Sequence, residues 1–331
     1  MKPLASLSLD LDNKWSYMKT HGDAGWDAYP SYFDVLVPRT LALLKKHDLT
    51  ITFFVVGQDA ALEKNADALK QIAAAGHEIG NHSFRHEPWL HLYSDAEIET
   101  ELRSAQEAIE KVTGYRPRGF RGPGFSCSEA TLTTLKRLGY AYDASTFPTF
   151  LGPLARLYYF MHSGLSKNEL KTRKALFGKF TEGLRPLKPY RWRTDAGELT
   201  EIPVTTMPLL KVPIHASYIL YLSCYSTALA FAYLRTALAM CRLTGTPPSI
   251  LLHPLDFLGG DDEKDLSFFP AMNLPGEKKR EIMDRILRLL TRQFEVVPMK
   301  EHAARVALDS RLKLADPNFP RAAESSIPQT A

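Results

Sequence analysis

The sequence predicts a parallel α/β fold. Three observations carry that prediction. Short β-branched or apolar runs alternate with amphipathic helices from Leu4 to Asp143, and the connections are short. The residues capable of chemistry fall at the ends of the predicted strands. The chain has 331 residues, 45% of them hydrophobic, which is enough for a large core.

The elements follow in order. Leu4 to Leu9 reads as a buried strand ending at Asp10 and Asp12, two acids that project to the same side because they stand two apart. Asn13 to Pro30 reads as a polar, aromatic loop, too long for a mere connector; its Trp15 and His21 are candidates to face a substrate. Ser31 caps a helix to about His47, Thr50 to Val56 is a buried strand, and a helix from about Ala60 to Ala75 closes at Gly76. His77 to Asn81 is a short strand that delivers His82. Ser94 to Glu97 has the capping-box pattern and opens a long helix to about Thr113. Arg118 to Arg121 is a strand, Ser128 starts a helix to Leu138, and Gly139 to Asp143 begins another strand.

From about Phe150 the alternation stops. Between Leu151 and Arg193 ten Lys or Arg stand against Glu169 and Glu182, with aromatic residues interleaved. Tyr218 to Leu234 has no charge and is about the minimum length for a bilayer span, but it lies between two strands of one fold, so a helix near Ser226 to Leu243, apolar on its outer face, is expected instead. Ile250 to Leu252 is a strand leading to His253, Lys278 to Phe294 an amphipathic helix, and Phe294 to Val297 a last strand. The basic segment reads either as a solvated insertion with long basic side chains or, beside an apolar helix, as attachment to an anionic membrane surface. No nucleic-acid recognition motif is present, and nucleic acid is not an expected partner. The net charge of +4 decides little; the three cysteines, an odd number with no C-x-x-C pair, fit a reduced compartment, and no apolar leader precedes Asp10, so a cytoplasmic protein, peripheral at the inner membrane face, is expected.

His82 and His86 stand four apart, which on a helical turn places them on one face. Two surface histidines at that spacing are common. Here two aspartates, an arginine and a third histidine accompany them. A catalytic metal site takes three protein ligands and keeps a position open for water, and His82, His86 and one of Asp10 and Asp12 supply that set. The other aspartate can take a proton from activated water, with Arg121 available to pair with it. His253 can protonate a leaving amine, and Asp256, three residues on, is a candidate to orient it. His91, His21 and His215 read more simply as loop or surface histidines, Cys127 as packing, and Ser83 as a residue whose hydrogen bonding fixes the loop.

The order of these pieces resembles the polysaccharide deacetylase (NodB-homology) family. The resemblance rests on Asp10-Leu11-Asp12, on His82-Ser83-Phe84-Arg85-His86, on Arg121-Gly122-Pro123-Gly124-Phe125, on Tyr142-Asp143 through Phe147-Pro148 with Phe147 where the family carries Trp, and on Ile250-Leu251-Leu252-His253. It implies a distorted (β/α) barrel of about seven strands. It further implies Asp10 as base, Asp12, His82 and His86 as ligands of a divalent metal that zinc suits best, Arg121 holding Asp10, Pro123 in a supporting motif, and His253 as acid. Whether Asp143 or Asp256 supports His253 stays open.

On that resemblance, residues 1–310 are one barrel domain with a divergent insertion at 150–200 and an apolar helical segment at 205–245, and 311–331 are a loose tail. The expected activity is removal of an N-acetyl group from a sugar, with a glycolipid or polyprenyl-linked sugar favoured. A deformylase or other small-amide hydrolase, and a non-catalytic glycan- or lipid-binding protein, are the alternatives. The oligomeric state is not legible.

Overall fold

The computed structural model describes residues 2–151 and 180–319. The centre is a mostly parallel sheet. Seven parallel strands run in the spatial order β7, β5, β4, β3, β2, β1, β8. They are β1 (Leu4–Leu11), β2 (Thr52–Val55), β3 (Glu78–Asn81), β4 (Gly119–Phe120), β5 (Tyr142–Asp143), β7 (Gly197–Glu201) and β8 (Ser249–Leu252). The ladder does not close: β7 and β8 are not paired. A single backbone bond, Thr205 N–H to the Ser249 carbonyl at 3.0 Å, spans the gap, and the Thr205 hydroxyl accepts from Ser249 N–H. The result is the distorted, open barrel.

Three further strands complete the sheet. β6 (Tyr190–Thr194) pairs antiparallel with β7, β9 (Glu295–Val297) pairs with β1, and β10 (Leu314–Ala315) pairs with β6. Two expectations change here. The break in alternation after Phe150 contains a β6–β7 hairpin that extends the sheet. The tail expected to be loose from residue 311 supplies the edge strand β10, and Phe319 packs against Trp192 at 5.5 Å between ring centroids. The basic stretch from 152 to 179 and the residues from 320 onward lie outside the described residues.

Helices cover the sheet because their apolar stripes need burial. α1 (Lys14–His21) replaces the expected loop after Asp12: Asn13 caps it through its side chain, and Gly22 ends it in the left-handed conformation. α2 (Phe33–Lys46) follows. The helix expected over Ala60 to Ala75 is broken into α3 (Gly57–Ala61) and α4 (Ala66–Ala74), because Leu62 turns extended and Asn65 ties back to Asp59. α5 (Asp95–Thr113) carries the expected capping box of Ser94 and Glu97, and α6 (Glu129–Arg137) is capped by Ser128. The apolar run of 218–234 divides into α7 (Ala216–Ser223) and α8 (Thr227–Thr244), and no described helix is long and apolar enough to cross a membrane. α9 (Gly276–Gln293) and α10 (Met299–Ala307) close the other side.

Candidate metal centre

The site is assembled at the C-terminal ends of the parallel strands, the rim where β/α barrels carry their chemistry. Asp10 is the penultimate residue of β1 and Asp12 follows its end; both are buried. His82 follows β3, Arg121 follows β4 and His253 follows β8. Because Leu9 pairs with Leu252, Asp10 and His253 occupy the next positions on neighbouring strands.

Ligand atoms of Asp12, His82 and His86 all lie within 4.8 Å of one another. The Asp12 Oδ1 is 2.9 Å from His86 Nε2 and 3.4 Å from His82 Nε2. Asp12 Oδ1 is buried and has no protein hydrogen bond, an arrangement costly for a carboxylate oxygen that has no ion to meet. His82 Nδ1 donates to the Arg121 carbonyl at 2.6 Å, so its Nε2 keeps the lone pair that a metal needs. These donors fit a divalent ion of the borderline class. Charges fit as well. Burial would raise the Asp12 carboxyl, but the His86 and His82 imidazoles hold it well below the usual carboxylate range. Burial would lower His82, but the Asp10 and Asp12 charges lift it above the ordinary value.

The histidines do not share a helical turn. They sit in a loop after β3 whose Ser83 and His86 adopt positive φ, 60° and 55°. Loop backbone turns His86 back toward His82, with ring centroids 4.9 Å apart. Ser83 fixes that loop through its backbone: its N–H donates to Asn81 Oδ1 and its carbonyl accepts from Gly57 N–H, while its hydroxyl is buried without a hydrogen-bond partner among the described residues.

Arg121 is fully buried. Its guanidinium donates to Asp10 Oδ1 at 2.7 Å, to Ser8 Oγ at 2.9 Å and to the Ala144 carbonyl at 3.0 Å, and lies over the Phe54 ring at 4.5 Å. It thus holds one oxygen of Asp10, while the other, Oδ2, is 4.0 Å from His82 Nε2. The Gly122–Pro123 turn keeps this register. A Cβ on Gly122 would meet the Ser126 carbonyl oxygen at 1.9 Å, so only glycine fits, and Pro123 is buried behind it.

His253 Nδ1 is 3.1 Å from Ser217 Oγ, and its backbone N–H donates to Asp256 Oδ2 at 2.8 Å. Asp256 therefore stands beside His253. Asp143 does not: its own burial and then the neighbouring Glu201 charge push its carboxyl well up, and it receives the Ser145 hydroxyl at 2.6 Å. Ser145 in turn accepts from Gly122 N–H, so Asp143 supports the Arg121 turn. Cys127 lies 3.8 Å from Asp143 and is half-buried.

Trp15 is 1% exposed and does not face a cleft; its indole N–H donates to Asp59 Oδ1 at 3.0 Å. His21 stays at the rim, 2.8 Å from Asp23 and stacked on Phe268 with 3.6 Å between centroids, outside the ligand cluster. The reading of His215 as a loop or surface residue is corrected. It is buried, its ring is 5.6 Å from His253 and 5.8 Å from Phe147, and burial first, then the charges of His253 and Arg121, hold it well below its ordinary value. Asn13, Asp59 and Ser217 were not singled out from the sequence. Asn13 donates to Asp59 Oδ1 at 2.7 Å and accepts from Lys14 N–H, anchoring the turn that carries Asp12. An Asn directly after the second acid, capping the next helix, is the signal that would have marked it.

A parallel α/β fold carries here a buried Asp–His–His cluster able to hold one divalent ion, with a second, arginine-held acid beside it. Residues 23–142 match the polysaccharide deacetylase family model, a span that includes the His82 and Arg121 motifs and leaves out Asp10, Asp12 and His253. The chain is 32% identical over 146 residues to the peptidoglycan deacetylase of Helicobacter pylori, covering 43% of this chain and 49% of that one. It is 35% identical over 106 residues to the chitin deacetylase of Colletotrichum lindemuthianum, covering 31% and 42%. It is 39% identical over 110 residues to the peptidoglycan-N-acetylmuramic acid deacetylase of Bacillus subtilis, covering 33% and 41%. The chain spans less than half the length of these relatives. The fold also matches crystal structures of candidate polysaccharide deacetylases from Mycobacterium smegmatis (TM-score 0.59, 19% identity, 98% of this chain and 99% of that one) and Pseudomonas aeruginosa PAO1 (0.56, 17%, 94% and 92%). Over residues 23–142 the chain is similar to the polysaccharide deacetylase family, and its fold is that of the two crystal structures.

Proposed function

We propose that this protein is a metal-dependent hydrolase that removes the N-acetyl group of a sugar. The observation that carries the reading is Asp10, buried, held on one oxygen by Arg121 and left free on the other beside the Asp12–His82–His86 cluster. A divalent ion, with zinc the one the donor set suits best, supplies Lewis acidity that activates water and polarises the amide carbonyl. Asp10 Oδ2 takes the proton of the attacking water. Ser217 engages His253 Nδ1, which leaves Nε2 to give a proton to the departing nitrogen as the C–N bond breaks. Acetate and a free amine are the products. Names of the relatives, all sugar-polymer deacetylases, support the substrate class. Acetate release from N-acetylglucosamine oligomers by the metal-loaded protein tests the reading; no release from any N-acetyl sugar would overturn it.

The finer reading is a lipid-linked sugar handled at the cytoplasmic membrane face. Leu209 and Leu210 are 82% and 62% exposed at a turn bracketed by the Thr206–Pro213 bridge, and Leu184, at 73%, adjoins them because the Lys211 ammonium donates to the Gly183 and Arg185 carbonyls. Thr206 ties this turn to the Pro148 carbonyl, next to Phe147 at the site. Exposed leucines on an anchored turn, with the basic excess of 151–193 in the same sequence region, support contact with anionic lipid. Flotation with phosphatidylglycerol vesicles tests it. Loss of flotation in Leu209→Asp/Leu210→Asp is expected, and no flotation of the wild type would sink the idea.

A further inference from the structure

Lys279, on α9, is 1% exposed. Its ammonium has three N–H groups, and the structure gives it one carbonyl, Leu255 O at 2.8 Å, and a thioether, Met272 Sδ at 3.1 Å. Burying a charge this way costs stability unless an opposite charge offsets it. Burial lowers Lys279 to about 8, and the groups that raise it are Asp256 first, then Cys224, Asp261 and Asp262. The carbonyl it holds belongs to the turn Pro254–Asp256, which begins on His253.

That turn has a defined polarity. Asp256 is 2% exposed and accepts from the His253 backbone N–H. Burial raises its carboxyl, and the His253 charge, the His253 N–H, the Ser217 hydroxyl and Lys279 oppose the rise. Ser217 has one hydroxyl proton. Its oxygen lies 3.1 Å from His253 Nδ1; with the hydroxyl turned toward the Asp256 charge, that oxygen is left to accept from His253 Nδ1–H. The proton that His253 can give away then resides on Nε2.

We propose that Lys279 is a positioning residue for the acid: its ammonium, clasped under the His253–Asp256 turn, keeps Asp256 anionic and directed at Ser217, so that His253 presents a protonated Nε2 to the leaving nitrogen. This rests on the reading of His253 as the acid. Lys279 touches neither the ligand cluster nor a substrate position; it acts through Asp256 and Ser217.

The test is the pH profile of kcat/KM in Lys279→Met and Lys279→Gln; glutamine keeps an N–H for Leu255 O and loses only the charge. The alkaline limb, where the acid is lost, is expected to move down by about one pH unit in both. Ser217→Ala should move it the same way, and the double variant should add little, because both act on one chain of bonds. A folded, metal-bearing Lys279→Gln whose activity drops equally at every pH, or whose alkaline limb moves up, overturns the proposal. A second readout needs no turnover: by NMR, the midpoint of the His253 ring titration should fall in Lys279→Gln. Acetate release by the wild type with an unmoved ring titration sinks the role of Lys279 alone. A lowered titration midpoint with no acetate release supports the coupling and sinks the deacetylase reading.

Discussion

Arg121→Ala isolates the scaffold that holds Asp10, the proposed base. The substitution removes the guanidinium contacts to Asp10, Ser8 and Ala144 and leaves Asp10, only 5% exposed, without its cationic partner. Removing one member of a buried ion pair costs about 3–5 kcal/mol, because the remaining charge stays in a poorly solvating environment. The Arg121 carbonyl that orients His82 belongs to the backbone and survives, so the metal ligands are untouched. The expected result is therefore selective: stability falls by about 3–5 kcal/mol in a urea melt, one divalent ion per chain is retained, and acetate release falls about 100-fold or more because the base is no longer fixed. Arg121→Lys keeps a charge but cannot span three acceptors, and should fall between. An Arg121→Ala protein within about 1 kcal/mol of wild type that releases acetate at an unaltered rate would refute this assignment of Arg121 and Asp10.

Three further outcomes follow from the same geometry. Asp12→Ala and His86→Ala should each lower metal stoichiometry, read by elemental analysis after dialysis, while His21→Ala, outside the cluster, should keep it. Acid lability should trace in part to His302, buried against Ser6 Oγ and lowered by burial to about 4, alongside the buried His77 and His215, which are lowered too. The folded value of His302 lies below its unfolded one, so the unfolded chain binds more protons between about pH 6.5 and 4, and stability falls as pH falls through that window by about 2–3 kcal/mol. His302→Gln should flatten the urea-midpoint profile there; an unchanged slope would contradict the reasoning. Asp59 has the opposite sign: burial raises it to about 7 against the hydrogen bonds of Asn13 and Trp15, so its penalty on the fold builds as pH rises from about 4 to about 7 and is complete above that, and Asp59→Asn should raise stability at pH 8 without loss of metal.

Much of the site was legible because it is carried by local signals. Asp10 and Asp12, the two histidines, Arg121 and His253 each stand at or shortly after the end of a predicted strand, and a parallel sheet gathers strand ends at one rim. A four-residue spacing suggests a helix, but the histidines meet through positive φ at Ser83 and His86, a conformation that periodicity does not encode. What stayed hidden arrives from far along the chain. Ser217 reaches His253 from α7, Asp59 reaches Asn13 from α3, and Lys279 reaches Leu255 from α9, each only after folding. His215 looked like an ordinary histidine because nothing local shows that His253 and Phe147 bury it. The choice between Asp143 and Asp256 needed the fold too, since the sheet places Asp143 against Glu201 and the turn places Asp256 against His253. The strand at Leu314–Ala315 is two residues long and has no pattern to read.

The central claim is that Asp10 is left off the metal to act as base. The direct measurement is acetate release from N-acetylglucosamine oligomers by metal-loaded wild type and Asp10→Asn, with the bound metal counted in the same samples. The account predicts one ion per chain in both proteins, and turnover about 100-fold to 10,000-fold lower in the variant. Equal turnover in the two, or loss of the ion together with Asp10, would contradict it.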